Sequence, residues 1–167
     1  VVDMASVTTL FAEDQQAREL CSSELSAMAP YENRKASRTF FLAENCRGEV
    51  LGIAADAPYG ERVLALQRAG IALWDVLASC ERPGSLDSAI KRDSEQANDL
   101  PGLLAMHTHI KQILFNGGAA EATFRRHHAA VLRRPDLSFV RLPSTSPAHA
   151  SLRFEQKCAV WRAALTG

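Results

Sequence analysis

"ILFNGGAAEATFRRHHAAVLRRPDLSFVRL", residues 113–142, decides how this chain is built. It opens on a short β-prone apolar run, 113–116, and closes on another, 137–142. Between them Gly117 and Gly118 interrupt the run, and residues 119–132 take helical spacing with Phe124, His128 and Val131 on one face. Strand, helix and strand in that order form a crossover unit, the usual link between parallel neighbours.

The same alternation extends in both directions. Residues 7–11 (VTTLF) and 71–77 (IALWDVL) read as two further strands. Residues 17–28 and 61–69 have helical spacing, the second closed by Gly70 as a C-terminal cap. Asp99 and Pro101 mark a helix start before GLLAMH. A last helix places Phe154, Cys158, Trp161 and Leu165 on one stripe. Residues 29–60 carry only weak periodicity. The pattern predicts one α/β domain over 1–167, with a four-stranded, mainly parallel central sheet covered by helices on both faces.

Composition narrows the class. A chain of 167 residues, 47% hydrophobic and 23% charged, reads as a soluble globular domain. No apolar run approaches the roughly 18 residues that span a bilayer, so no membrane partner is expected. Asp3, Glu13 and Asp14 interrupt the beginning of the chain in a way unlike a secretory signal. Cys21, Cys46, Cys80 and Cys158 are scattered, which suits reduced thiols in a cytoplasm and argues against zinc or iron–sulfur sites. The net charge is zero but uneven: residues 1–106 hold ten Lys and Arg against sixteen Asp and Glu (−6). Residues 107–167 hold nine against three (+6), together with all five histidines. Such a basic half can offer a phosphate-binding face, or its arginines can simply be solvated helix faces.

In open parallel sheets ligands sit beyond the carboxyl ends of the strands. Asp75 and Asn116 lie at the ends of the second and third strands, and the turn Pro143, Ser144, Thr145, Ser146, Pro147, Ala148, His149 follows the fourth. An aspartate, an asparagine and a histidine among hydroxyls are equipment for reading a small planar heterocycle.

These stretches carry a resemblance. "GIALWDVLASC" with "GSLDSAI", then Asn98-Asp99, "ILFNG" and "LPSTSPAHA" resemble the hypoxanthine-DNA glycosylase branch of the uracil-DNA glycosylase superfamily, from about residue 47 to the C-terminus. The resemblance implies a three-layer α/β/α fold with a four-stranded parallel sheet. It implies a monofunctional hydrolase that removes deaminated bases from DNA, hypoxanthine first and uracil or xanthine next, with no cofactor and no metal, working as a cytoplasmic monomer on damaged DNA.

The chemistry of the residues fits that task. Hypoxanthine and uracil present a ring N–H beside a carbonyl, where adenine and cytosine present an acceptor nitrogen. An ionised carboxylate accepts the first and repels the second, so Asp75 is the candidate reader, with Trp74 as a pocket wall. Asn116 either completes the reading or ties neighbouring loops. His149 is placed to stabilise charge on the departing base. Ser144, Thr145 and Ser146 can donate to DNA phosphates while Pro143 and Pro147 stiffen the turn. His107, His109, His127 and His128 lack carboxylates or cysteines at ligand spacing, and Arg125, Arg126, Arg133 and Arg134 read most simply as a solvated face. Ser85–Ser88 reads as a helix start, with a site role for Asp87 implied only by the resemblance.

Residues 12–46 depart from the resemblance. The family follows its first strand with Gly-Ser-x-Pro-Gly and later has Tyr-Tyr-x-His-Pro-x-Asn-x-Phe-Trp. Here the nearest echo is "FFLAEN", 40–45, which makes Asn45 the candidate for the water-positioning role. Divergence and a locally shifted reading frame are the two explanations. The rival function is a nucleic-acid or nucleobase-binding domain that has lost catalysis. A nucleotide- or sugar-phosphate-binding enzyme fits less well, because no glycine-rich loop follows the first strand.

Overall fold

A computed structural model describes residues 7–12, 57–58, 61, 64–65, 68–69, 71–83, 87–108, 110–145 and 151–166. Strands β1 (Val7–Ala12), β2 (Ile71–Asp75), β5 (Ile110–Asn116) and β6 (Ser138–Leu142) form one sheet in the order β2-β1-β5-β6. Two short strands, β3 (Leu77–Ser79) and β4 (Gln96–Ala97), form a separate antiparallel pair. Helices α1 (Leu100–Met106), α2 (Gly118–His127) and α3 (Phe154–Thr166) join them, with 3-10 turns at Asp87–Ala89, Arg92–Ser94 and Val131–Arg133.

The crossover unit forms as its sequence dictates, with β5 and β6 parallel and in register from Gln112↔Ser138 to Asn116↔Leu142. The sheet as a whole is mixed, not mainly parallel as the alternation predicted. β1 runs antiparallel to both neighbours, from Val7↔Asp75 against β2 and Thr8↔Phe115 against β5. Hydrophobic periodicity marks a strand but carries no direction, and the long connection from β1 to β2 imposes none. The expected second strand also divides at a bend on Val76, so residues 71–75 join the large sheet and 77–79 the small one.

Side chains of β5 and β6 alternate between two apolar clusters. Ile113, Phe115 and Phe139 pack with Leu103 and Leu104 of α1, Phe124 of α2, and Val131, with Trp74 against the same group. Leu114, Val140 and Leu142 pack with Trp161, Ala164 and Leu165 of α3. Helices therefore cover both faces of the β5–β6 pair, which explains the unbroken buried run 113–115 in place of a polar alternation. Phe115, Phe124 and Phe139 form an aromatic knot with centroids 5.1–6.3 Å apart. The expected α3 stripe holds at Cys158, Trp161 and Leu165 but not at Phe154, which is exposed at the helix start.

Local signals set the helix ends. Asp99 Oδ1 accepts the Gly102 N–H at 2.9 Å, the N-cap bond that an aspartate ahead of Pro101 promises. α2 stops at His127, and a single 3-10 turn over Val131–Arg133 follows in place of a helix running to Leu132. Pro135 then holds Arg134 extended, at ψ 118°, and ends the segment. The predicted helix at 17–28 and the cap at Gly70 lie outside the described residues. Over 61–69 the described positions 61, 64, 65 and 68 are helical.

Candidate functional site at the carboxyl end of the sheet

Register brings the candidate residues to one end of the sheet. Asp75 closes β2 opposite Val7, the next rung pairs Thr8 with Phe115, and Asn116 stands opposite Leu142 at the last rung of β5 and β6. β2, β5 and β6 thus point the same way, and the residues leaving them, Asp75, Asn116 and the 143–145 turn, share an edge. The reversed β1 sends its carboxyl end to the opposite edge, where Ala12 meets Ile110.

Asn116 ties two strand-end loops together. Its Oδ1 accepts the Thr145 backbone N–H at 2.9 Å, and its Nδ2 donates to Thr145 Oγ1 at 3.0 Å. One N–H of the amide remains uncommitted by these bonds. Thr145 is buried, with its hydroxyl turned inward to Asn116, while Ser144 is half-buried. The Gly117 N–H donates to the Leu142 carbonyl at 3.0 Å, closing the same junction from the backbone. Gly117 is needed there: its φ is +92°, and a Cβ would come within 2.8 Å of Ser144 Cβ. From below, Trp161 Nε1 donates to the Pro143 carbonyl at 2.9 Å, so α3 holds the turn down.

Asp75 stands at the bend. Its backbone carbonyl accepts a 2.8 Å bond from Asn98 Nδ2. Trp74 is half-buried against the α1–α2 side of the core, and its indole N–H is buried without a partner. Ser146, Pro147, His149 and Asn45 lie outside the described residues, so Asp75, Trp74, Asn116, Ser144 and Thr145 are the expected site residues seen here.

A second polar cluster occupies the far end of α2. The Glu95 side chain, 3% exposed, accepts from Arg126 Nη2 at 2.7 Å and meets His127 Nε2 at 2.7 Å. Burial would raise the Glu95 carboxyl, but the hydrogen bonds from His127 and Arg126 outweigh it and hold the group below the usual carboxylate range. His128 beside it is buried, its ring 5.1 Å from Phe124 and its Nε2 unpartnered. Burial, then the charge of His127, lowers its proton affinity, with Asp99 pulling the other way. The sequence reading missed Glu95, since its partners lie 31 and 32 residues away. Arg125 pairs with Glu121 and Arg134 with Asp136, so three of the four arginines read as a solvated face are bound to carboxylates. Among the described residues no group of three His, Cys, Asp or Glu could hold a metal ion, and no helix is long and apolar enough to cross a membrane. Cys80 and Cys158 are both buried.

Fold and site together define a mixed α/β protein whose polar residues gather at the carboxyl ends of three strands. A curated protein of Methanosarcina acetivorans, named hypoxanthine DNA glycosylase, is 34% identical to this chain over 94 residues. The match covers 56% of this chain and 55% of that protein, so the chain spans about half the length of the curated relative. No family model matches, and no solved structure matches.

Proposed function

We propose that this protein is a DNA glycosylase of the uracil-DNA glycosylase superfamily, acting on deaminated bases with hypoxanthine first and uracil or xanthine next. The observation that carries the reading is the 34% identity to a protein named hypoxanthine DNA glycosylase. The convergence of Asp75, Asn116 and the 143–145 turn at one edge supports it. The three-layer fold of that superfamily is part of the proposal, supported by helices on both faces of the β5–β6 pair.

In this mechanism the target nucleotide swings out of the duplex to the strand-end edge. The Asp75 carboxylate accepts the ring N–H beside the base carbonyl and rejects the acceptor nitrogen of adenine. Asn116 offers its uncommitted N–H to the base while its other amide atoms hold Thr145. The 144–147 turn grips the DNA backbone, Ser144 and Ser146 as donors, Thr145 as the anchor to Asn116, and Pro147 as the stiffener. Water attacks C1′, the bond from C1′ to the base nitrogen breaks, and its electron pair leaves with the base. The water proton ends on the departing base, whose negative charge His149 stabilises. Asn45 is the candidate to position that water. No metal enters the mechanism, and the enzyme is read as a cytoplasmic monomer.

The test is cleavage of a labelled duplex with one deoxyinosine, developed with alkali, beside deoxyuridine and undamaged duplexes. We expect cleavage by the parent and a loss of about a hundredfold in Asp75→Ala, since a hydrogen bond to a charged group is removed. A comparable loss is expected in His149→Ala. Duplex binding without cleavage would overturn the enzyme and favour a non-catalytic nucleic-acid-binding protein. The unfamiliar 12–46 segment is the specific observation behind that second reading.

A further inference from the structure

We propose that Asn98 is the positioning residue for Asp75, acting as a double donor that pins the two peptide planes immediately after it. This rests on the reading of Asp75 as the group that recognises the base.

Asn98 Nδ2 donates to the Asp75 carbonyl at 2.8 Å, and the Asn98 backbone N–H donates to the next carbonyl, Val76, at 3.0 Å. The two bonds come from one residue and hold consecutive peptide units on either side of the Val76 bend. The backbone bond extends the pairing of β3 with β4 by one rung, and the side-chain bond reaches back across the bend to the last residue of β2. Asn98 is itself held from both sides. On its N-terminal side Ala97 pairs with Leu77 across β3 and β4. On its C-terminal side Leu100 donates its N–H to the Asn98 carbonyl at 2.9 Å, and Asp99 caps α1. Val76, at 0% exposure, anchors the bend in the core. The backbone that aims the Asp75 side chain is therefore clamped between a buried valine and a braced amide donor. Freedom at this bend would let the carboxylate swing, and misplacement by about 1 Å at a reacting centre can cost about a hundredfold in rate.

The deciding experiment is a double-mutant cycle on deoxyinosine cleavage, with Asn98→Ala and Asp75→Ala alone and together, and thermal unfolding of all four proteins beside it. Loss of one hydrogen bond and its geometry predicts about a tenfold fall in cleavage for Asn98→Ala in the parent. In the Asp75→Ala background the same change should cost less than about twofold, because its effect passes through the absent carboxylate. An equal loss in both backgrounds overturns the proposal and leaves Asn98 merely structural. Should Asn98→Ala fail to fold, Asn98→Asp keeps the shape and the backbone bond but replaces the donor with an acceptor, and enters the same cycle. A parent that cleaves no duplex would defeat the proposed function, and the carboxyl carbon resonance of Asp75 then decides. Displacement of that resonance in the Asn98 variant supports positioning, and an unmoved resonance overturns it.

Discussion

The two ends of α2 are fastened by opposite chemistry. At its N-terminal end an amide, a hydroxyl and backbone groups join Asn116, Gly117, Leu142 and Thr145 without any formal charge. At its C-terminal end a carboxylate shielded from water holds a guanidinium and an imidazole. A neutral clasp keeps one geometry across pH and salt, because none of its bonds depends on a titrating group. The ionic clasp joins the segment before β4 to the helix, with the basic residues at the helix end where the dipole favours them. The second half of the chain carries the excess of positive charge, yet Arg125, Arg126 and Arg134 are matched to carboxylates. Net charge describes a segment, whereas partners decide whether its cations are available to phosphate.

The neutral end has the more to lose. Trp161, fully buried, packs Leu114 and Leu142 and holds Pro143, so Trp161→Ala should cost about 3–5 kcal/mol in denaturant unfolding. A cost under about 1 kcal/mol would mean that α3 does not support the turn.

The ionic end should show itself through pH. Glu95→Gln is expected to cost about 1.5–3 kcal/mol at neutral pH, the range for hydrogen bonds to a charged group. Because the folded Glu95 carboxyl lies below its ordinary value, its stabilisation is complete above that value and is lost as pH falls through the folded one. His128, lowered by burial and by His127, adds a loss that begins earlier, as pH falls through about 6.5, where the unfolded chain takes up a proton first. Thermal unfolding between pH 7.5 and 3.5 should thus decline in two stages, and Glu95→Gln should weaken only the more acidic one, to which Glu81 and Asp136, also held below their ordinary values by Lys91 and Arg134, still contribute. An unchanged acidic limb would show that the ionic clasp does not contribute.

Arg125→Ala marks the small end of the scale. The pair with Glu121 is 56% exposed on the arginine side, so its loss should change stability by less than about 0.5 kcal/mol and fade in salt. A larger, salt-resistant effect would make the surface arginines structural.

Much of this architecture can be read from local pattern. The β5–α2–β6 unit, the cap at Asp99 and the core face of Phe124, His128 and Val131 follow from periodicity and from residues whose bonds reach only a few positions along the chain. The placement of Asp75 and Asn116 at strand ends was legible for the same reason. Other features depend on elements far apart in sequence. The inward turn of Thr145 required Asn116, 29 residues away, and the role of Asn98 required a carbonyl 23 residues away.

The sequence by itself determined the strand–helix–strand order of β5, α2 and β6, the cap that starts α1 and the strand character of 7–11 and 71–75, because hydrophobic period, caps and proline act within a turn or two of chain. Only the tertiary structure decided the reversed direction of β1, the burial of Glu95 between Arg126 and His127, and the clamp of Asn98 on Asp75. Strand direction and long-range pairing are settled by which surfaces meet when the chain closes on itself, and no local pattern encodes that meeting.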